Sequence, residues 1–322
     1  MEVSQTGTLR RIVAAPGAVL PVGGLLAVAA PEAVSEAEID AFVAAFAAPE
    51  AVAEAAPEAG AKPRDIDAAG RRLRYLEMGE GSAFPVLLIH GFGGDLNTLM
   101  FNQPALAQGW RTLALDLPGH GGSAKEIGSG DPESLADAVD ALLRALGIER
   151  AHLVGHSLGG AVAALVALRR PQQAASLSLI ASAGLGPEIN SGFIDGFIRA
   201  ARRREMTEVL GQLVHNPASV SRAMVEETLR YKRLDGVEAA LNTIARAWFA
   251  EGRQCLDLTD RVKALTVPVQ VIWGGDDRII PVAHARALAT HFPVRLLDDA
   301  GHLPQMEKAA EVTRLIRQFV GA

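Results

Sequence analysis

The sequence predicts an α/β fold in which a mostly parallel sheet is covered by helices on both faces, with one helical insertion and a small β segment in front. Three observations carry this. From residue 64 to residue 322, short apolar runs alternate with stretches of helical periodicity. Most of those runs are apolar at consecutive positions, as strands covered on both sides are. Between residues 184 and 256 the strand signal stops and helical patterns alone remain, which reads as a lid inserted between two strands.

The elements follow in chain order. Residues 1–34 form a β segment with strand-like stretches at 9–13 and 25–28, and the turn signals Pro16-Gly17 and Gly23-Gly24 lie between them. So short a segment cannot bury a core alone, since chains below roughly 40 residues need outside help. Residues 35–63 comprise a helix and a linker. Ser35 caps the helix and Glu38 completes a capping box, after which Ile39, Phe42, Val43 and Phe46 recur as one apolar stripe. The Ala/Pro/Glu tract at 47–63 has nothing to bury and reads as a semi-stiff linker. In the main body, residues 64–322, strands are expected at 73–77, 86–89, 112–115, 152–154, 176–180, 269–273 and 294–297. Helices are expected at 134–146, 158–168, 283–291 and 308–320.

Composition limits what the chain can do. Of the 322 residues, 49% are hydrophobic and 21% charged, which suffices for a large core. A net charge of −6 argues against a nucleic-acid partner. Cys255 is the single cysteine, so intramolecular disulfides and cysteine-based metal sites are excluded, in keeping with a reducing cytoplasm. No basic-then-apolar leader pattern is present. The apolar run at 19–30 is too short for a bilayer and is broken by Pro21, Gly23 and Gly24. G-x-G-x-x-G, P-loop and H-E-x-x-H patterns are absent, so neither a nucleotide site nor a metal site is expected.

The chemistry concentrates in three places. LVGHSLGG, at 153–160, is a G-x-S-x-G motif between an apolar strand and an Ala-rich helix. A serine on so sharp a turn needs small neighbours, supplied by Gly155 and Gly159, and the helix start behind Ser157 favours a developing oxyanion. The bland alternative is a glycine-rich turn with a capping serine. A nucleophilic serine needs a base, and the base an orienting carboxylate. Asp277, in VIWGGDDRIIP, and His302, in LLDDAGHLPQMEK, follow strands and so fall at the same sheet edge as Ser157. Asp276 is the alternative acid. LLIHGFGG, at 87–94, ends a strand at His90-Gly91, where the backbone N–H of Phe92 can join that of Leu158 as an oxyanion hole. His90 and His156 read as loop-shaping neighbours, His284 and His291 as helix surface or packing, and His120, His152 and His215 as structural. DLPGHGGS, at 116–123, reads equally as a structural loop or a substrate contact.

Together these motifs resemble the α/β-hydrolase family over residues 64–322, in the family's order of oxyanion strand, nucleophile elbow, acid and histidine. A serine nucleophile sets the chain apart from the family's haloalkane dehalogenase and epoxide hydrolase branches, whose nucleophile is Asp. The front segment TGTLRRIVAAPGAVLPVGGLLAVAA is similar to the second half of a lipoyl domain, and with VSEAEIDAFVAAF and the body it resembles the acyltransferase components of acetoin dehydrogenase complexes. That resemblance implies transfer of an acetyl group from S-acetyldihydrolipoyl-lysine to coenzyme A. It also implies, as partners, other subunits of such a complex. The lipoyl-bearing hairpin of the family would lie upstream of Glu2. No lysine precedes Lys62, so the lipoyl group is expected on a lysine missing from this chain, and no cofactor is expected on the chain itself. The H-x-x-x-D-G motif of ordinary lipoamide acyltransferases does not occur, so transfer would pass through an acetyl-Ser157. The alternatives are a stand-alone esterase or thioesterase and, from another class, a non-catalytic complex subunit. In the insertion, AARRREM at 200–206 either meets coenzyme A phosphates or forms a solvated helix face. GFIDGFI at 192–198 either covers the acyl pocket or lies in a helix seam.

Overall fold

The computed structural model describes residues 8–14, 25, 27–46, 61–81 and 84–321. They fall into two units, 1–56 and 57–322. In the first unit, strands β1 (Thr8–Ile12) and β2 (Ala27–Ala30) pair antiparallel, and helix α1 (Glu36–Ala45) starts at Ser35 with the capping box to Glu38 in place. Two arginines of β1 hold the helix. Arg10 donates to the carbonyls of Pro31 and Val34 at 3.0 Å and to Glu36 at 2.7 Å, and Arg11 pairs with Glu36 at 2.7 Å and with Asp40. The apolar stripe is a correction to the sequence reading: only Ile39 is buried, while Phe42 is 52% exposed. Two short strands offer too little apolar surface to cover a full helical face. The turn signals at 16–17 and 23–24 and the linker up to residue 60 lie outside the described residues.

The second unit begins with the hairpin β3 (Arg64–Ala68) and β4 (Arg71–Met78), followed by β5 (Val86–Ile89), α2 (Gln103–Ala107), β6 (Thr112–Asp116), α3 (Pro132–Ala145), β7 (Ala151–His156), α4 (Leu158–Arg169) and β8 (Ala174–Ile180). The insertion then supplies α5 (Ser191–Arg199), α6 (Arg203–Leu210), α7 (Arg222–Lys232), α8 (Val237–Trp248) and the strands β9 (Phe249–Ala250) and β10 (Arg253–Gln254). The chain re-enters the sheet through α9 (Thr259–Lys263), β11 (Val269–Gly274), α10 (Ala283–Arg286), β12 (Val294–Leu297), α11 (Pro304–Glu307) and α12 (Ala309–Val320). The eight-stranded sheet runs β12-β11-β8-β7-β5-β6-β4-β3, parallel except for β4 and β3.

Three details depart from the sequence reading. β3 gives no apolar run because RDIDA alternates charge with Ile66, as befits a sheet edge wet on one side. The insertion is not purely helical: β9 and β10 form a two-residue hairpin. The helix expected at 283–291 shortens to α10, after which the backbone tightens to i→i−3 bonds at Leu288, Ala289 and His291.

The core lies on both faces of the sheet. Leu87 and Ile89 of β5 face the larger cluster with α3 and α4, whereas Val86 and Leu88 face a smaller one with Val312, Ile316 and Val320 of α12. Helix α4 is buried from Leu158 to Ala167, which makes it the central helix of the body. Where the insertion leaves and rejoins the body, Gln254 closes the neck. Its amide donates to the carbonyls of Gly186 and Glu188 at 2.9 Å and accepts from the Gly184 N–H at 2.8 Å. Leu258 N–H reaches the Gly184 carbonyl at 2.7 Å. Among the described residues no helix is long and apolar enough to cross a membrane.

Candidate active site

Ser157, Asp277, His302, Phe92 and Leu158 all lie just past the C-terminal ends of parallel strands. Ser157 sits between β7 and α4 with φ 53° and ψ −121°, a region that favours glycine, so the serine is held on a strained backbone. The turn closes only because its neighbours lack side chains. A Cβ at Gly155 would lie 2.3 Å from the Gly159 carbonyl oxygen, and one at Gly159 would lie 2.3 Å from the oxygen of His90. Gly91 backs onto the serine, where a Cβ would come within 2.9 Å of Ser157 Cβ. Since buried backbone on both sides blocks relaxation, Gly159→Ala is expected to destabilise the fold by about 3 kcal/mol or more. A thermal melt indistinguishable from the parent's would contradict this.

The structure brings Asp277 and His302 together. Their side chains are almost fully buried, and His302 Nδ1 donates to Asp277 Oδ2 at 2.8 Å. Asp277 Oδ1 accepts the N–H groups of Ile279 and Ile280 at 2.8 and 3.0 Å, which fixes the carboxylate. With Nδ1 committed, Nε2 is the basic nitrogen of His302. Asp276 points elsewhere, to His215 Nδ1 at 2.7 Å, and its side chain is 48% exposed. His215, Asp276 and Asp299 converge at the surface, with His215 Nε2 3.9 Å from Asp299. His156 donates from Nε2 to the His302 carbonyl at 2.8 Å and so steadies the histidine's own backbone.

Phe92 follows Gly91 after β5 and Leu158 follows Ser157 at the start of α4, and Gly91 and Ser157 are in close contact. Sequence reasoning has His90 shaping a loop and His120 as structural, but missed which backbone groups they hold around Phe92. His90 Nε2 accepts from Leu117 N–H at 3.0 Å while Nδ1 donates to the Gly91 carbonyl at 2.7 Å. His120 Nε2 accepts from Gly93 N–H at 3.2 Å while Nδ1 donates to the Pro118 carbonyl at 3.1 Å. Asp116 accepts from Leu96 N–H at 2.7 Å and Gly122 N–H at 2.6 Å, and burial raises its carboxyl above the ordinary range. Lys125 donates to the carbonyls of His120, Gly121 and Ser123. The loop at 116–123 is thus a strut under the loop that carries Phe92. The only signal for it in the sequence was the recurrence of histidine beside glycine in HGFGG and GHGGS.

These bonds require both imidazoles to be neutral. Burial pulls His90 below the usual 6.5, and pulls His120 and His156 well below it. A base with a depressed folded pKa takes its proton more readily when unfolded, so stability is intact above pH 6.5 and falls as pH drops towards the folded values. The expected loss is up to about 1.4 kcal/mol per pH unit for each histidine. Denaturant titrations between pH 7 and pH 5 measure it, and a flat profile would contradict the assignment.

The insertion touches the Phe92 loop through α5. Phe193, Ile194 and Phe197 are buried. The Phe92 ring lies 5.9 Å from Phe197 and 6.1 Å from Phe249, and Phe197 occupies the space a Cβ at Gly93 would need. The basic run is solvated: Arg203 pairs with Glu226 at 2.9 Å and Arg204 with Glu208 at 3.2 Å, both arginines being exposed. His284 is buried and bonds Glu188 at 2.8 Å, a packing role at the base of the insertion.

Residues 85–309 match the family described as alpha/beta hydrolase fold. A dihydrolipoyllysine-residue acetyltransferase component of the acetoin cleaving system from Pseudomonas putida is 47% identical over 99% of this chain and 86% of its own length. The protein of the same name from Cupriavidus necator is 44% identical over 100% of this chain and 85% of its own. Among solved structures, a meta-cleavage product hydrolase from Pseudomonas fluorescens IP01 superposes with a TM-score of 0.74 at 24% identity, covering 80% of this chain and 97% of that one, a likeness of fold.

Proposed function

Because the chain belongs to the α/β-hydrolase family, as an enzyme akin to the acetyltransferase components of acetoin cleaving systems, we propose that it moves an acetyl group from S-acetyldihydrolipoyl-lysine to coenzyme A through Ser157, His302 and Asp277. Both thiol compounds enter as substrates. The observation that carries the reading is the buried Asp277–His302 pair at the edge that presents Ser157, in a chain alike to those relatives along its whole length.

His302 Nε2 takes the proton of Ser157, and Oγ attacks the thioester carbonyl. The N–H groups of Phe92 and Leu158 receive the oxyanion, which collapses to acetyl-Ser157 and expels the dihydrolipoyl thiol, protonated by His302. The coenzyme A thiol then gives its proton to His302 and attacks the acetyl-enzyme. Collapse of the second oxyanion releases acetyl-coenzyme A, and His302 returns the proton to Ser157. Asp277 keeps the imidazole in the tautomer that can accept at Nε2 and stabilises the imidazolium. The lipoyl arm is carried by a lysine outside these 322 residues, in keeping with work inside a multi-subunit system in the cytoplasm. Within the chain, residues 1–34 act as a lipoyl-like segment, and the insertion at 184–256 acts as a lid that covers the acyl pocket with α5.

Water in place of coenzyme A would make the same site a thioesterase, and the test separates the two. The chain is incubated with S-acetyldihydrolipoamide or p-nitrophenyl acetate, with and without coenzyme A. Acetyl-coenzyme A is expected to form at the expense of free acetate. Hydrolysis at a rate indifferent to coenzyme A would overturn the transferase reading.

A further inference from the structure

We propose that Glu307 is a positioning residue that holds the loop of His302 against the helical insertion, an inference that rests on the triad reading above. Glu307 ends α11, and its carboxylate accepts two backbone N–H groups from separate parts of the chain. Oε2 takes Gly301 N–H at 2.7 Å, immediately before His302, and Oε1 takes His215 N–H at 2.7 Å, which is 92 residues away. The two segments are in direct backbone contact. The N–H groups of His302 and Leu303 both donate to the Leu213 carbonyl, at 2.8 and 3.2 Å. A Cβ at Gly301 would lie 2.7 Å from that same oxygen and 2.8 Å from His215 N. The insertion therefore supplies one wall of the histidine's seat, and Glu307 clamps wall and loop together through charge-assisted bonds.

Glutamine at 307 is isosteric but has one acceptor oxygen. Its amide group would meet the second N–H donor-to-donor, so the clamp opens on one side. Misplacement of a reacting group by about an ångström costs about 10²-fold in rate. Glu307→Gln is accordingly expected to lose about 10–100-fold in kcat with KM within about threefold of the parent. Labelling of Ser157 by a fluorophosphonate should slow in parallel, and the low-field proton resonance of the His302–Asp277 hydrogen bond should broaden. Gly301→Ala forces the same joint apart with Glu307 intact and is expected to give the same signature. Glu311→Gln, on the exposed side of α12, is expected to match the parent in every readout.

A residue that merely stabilises the fold would lower the melting temperature without moving the resonance or the labelling rate. Glu307→Gln with parental labelling and an unchanged resonance overturns the proposal, as does Gly301→Ala with both unchanged. A parent chain that fails to label at all overturns the triad reading instead, so the two failures are distinguishable.

Discussion

Ser157→Ala is expected to lower acyl turnover by about 10⁶-fold, and Ser157→Gly by as much while making the protein more stable. The loss follows from removing the only atom that can form the acyl bond while binding and oxyanion donors remain. The gain follows from the backbone. At φ 53° and ψ −121° a side chain costs about 1–3 kcal/mol, and glycine does not incur that cost. Alanine keeps the Cβ and with it the strain. Glycine is therefore expected to raise the melting temperature above that of the alanine variant by about 2–4 °C for a body of this size. Calorimetry on the two variants, both inactive, isolates the backbone contribution. Alanine retaining more than a few per cent of turnover would remove Ser157 from the chemistry. Equal melting temperatures would show that the surrounding glycines had already relieved the turn.

The second large effect is at Asp277. Asp277→Asn is expected to cost about 10⁴-fold in kcat with little change in stability. The N–H groups of Ile279 and Ile280 fix which end of the asparagine amide is oxygen. The NH₂ then faces His302 Nδ1, which must turn acceptor, so the imidazole proton moves to Nε2 and the base is lost. Asp276→Asn is expected to stay near parental turnover, because its partner is the half-buried His215, not His302. Measuring kcat for both variants at neutral pH decides between the adjacent carboxylates. Comparable losses at 276 and 277 would undo the assignment.

Much of the body was legible because its signals are local. The strands β5, β7, β8, β11 and β12 read as apolar runs, and the elbow carries its own glycines. The small residues at 155 and 159 follow from steric need in a turn only a few residues long. The α/β class with a mostly parallel sheet follows from those strands, whereas the α/β-hydrolase family came from the resemblance of the motifs. The edge hairpin β3–β4 was half missed because charged residues alternate through it. The bonds made by the supporting groups could not be read, although His90 reads as loop-shaping and His120 as structural. His90, His120, Gln254 and Glu307 act on backbone N–H and C=O groups brought to them by the fold, and a backbone partner leaves no mark on residue type. Choosing between Asp276 and Asp277 likewise needed the direction of two adjacent side chains. In the first unit, periodicity overstated the buried face of α1, where Arg10 and Arg11 do the holding.

The neck closed by Gln254 gives the insertion the character of a cassette. Its two ends, 70 residues apart in sequence, are fastened to each other before either reaches the sheet. Lengthening or exchanging what lies between them alters a loop already closed, at a small cost in chain entropy, and leaves the order of the strands untouched. The sheet is thus expected to tolerate other caps, which the melting temperature of a cap-exchanged chain would check. Chemistry is less permissive, since a replacement must also offer a carbonyl to His302 and an N–H to Glu307 at the spacing Leu213 and His215 now provide. Folding and catalysis therefore place separate demands on the same stretch of chain, and a cap transplanted without that short turn would yield a well-folded protein with an unseated histidine.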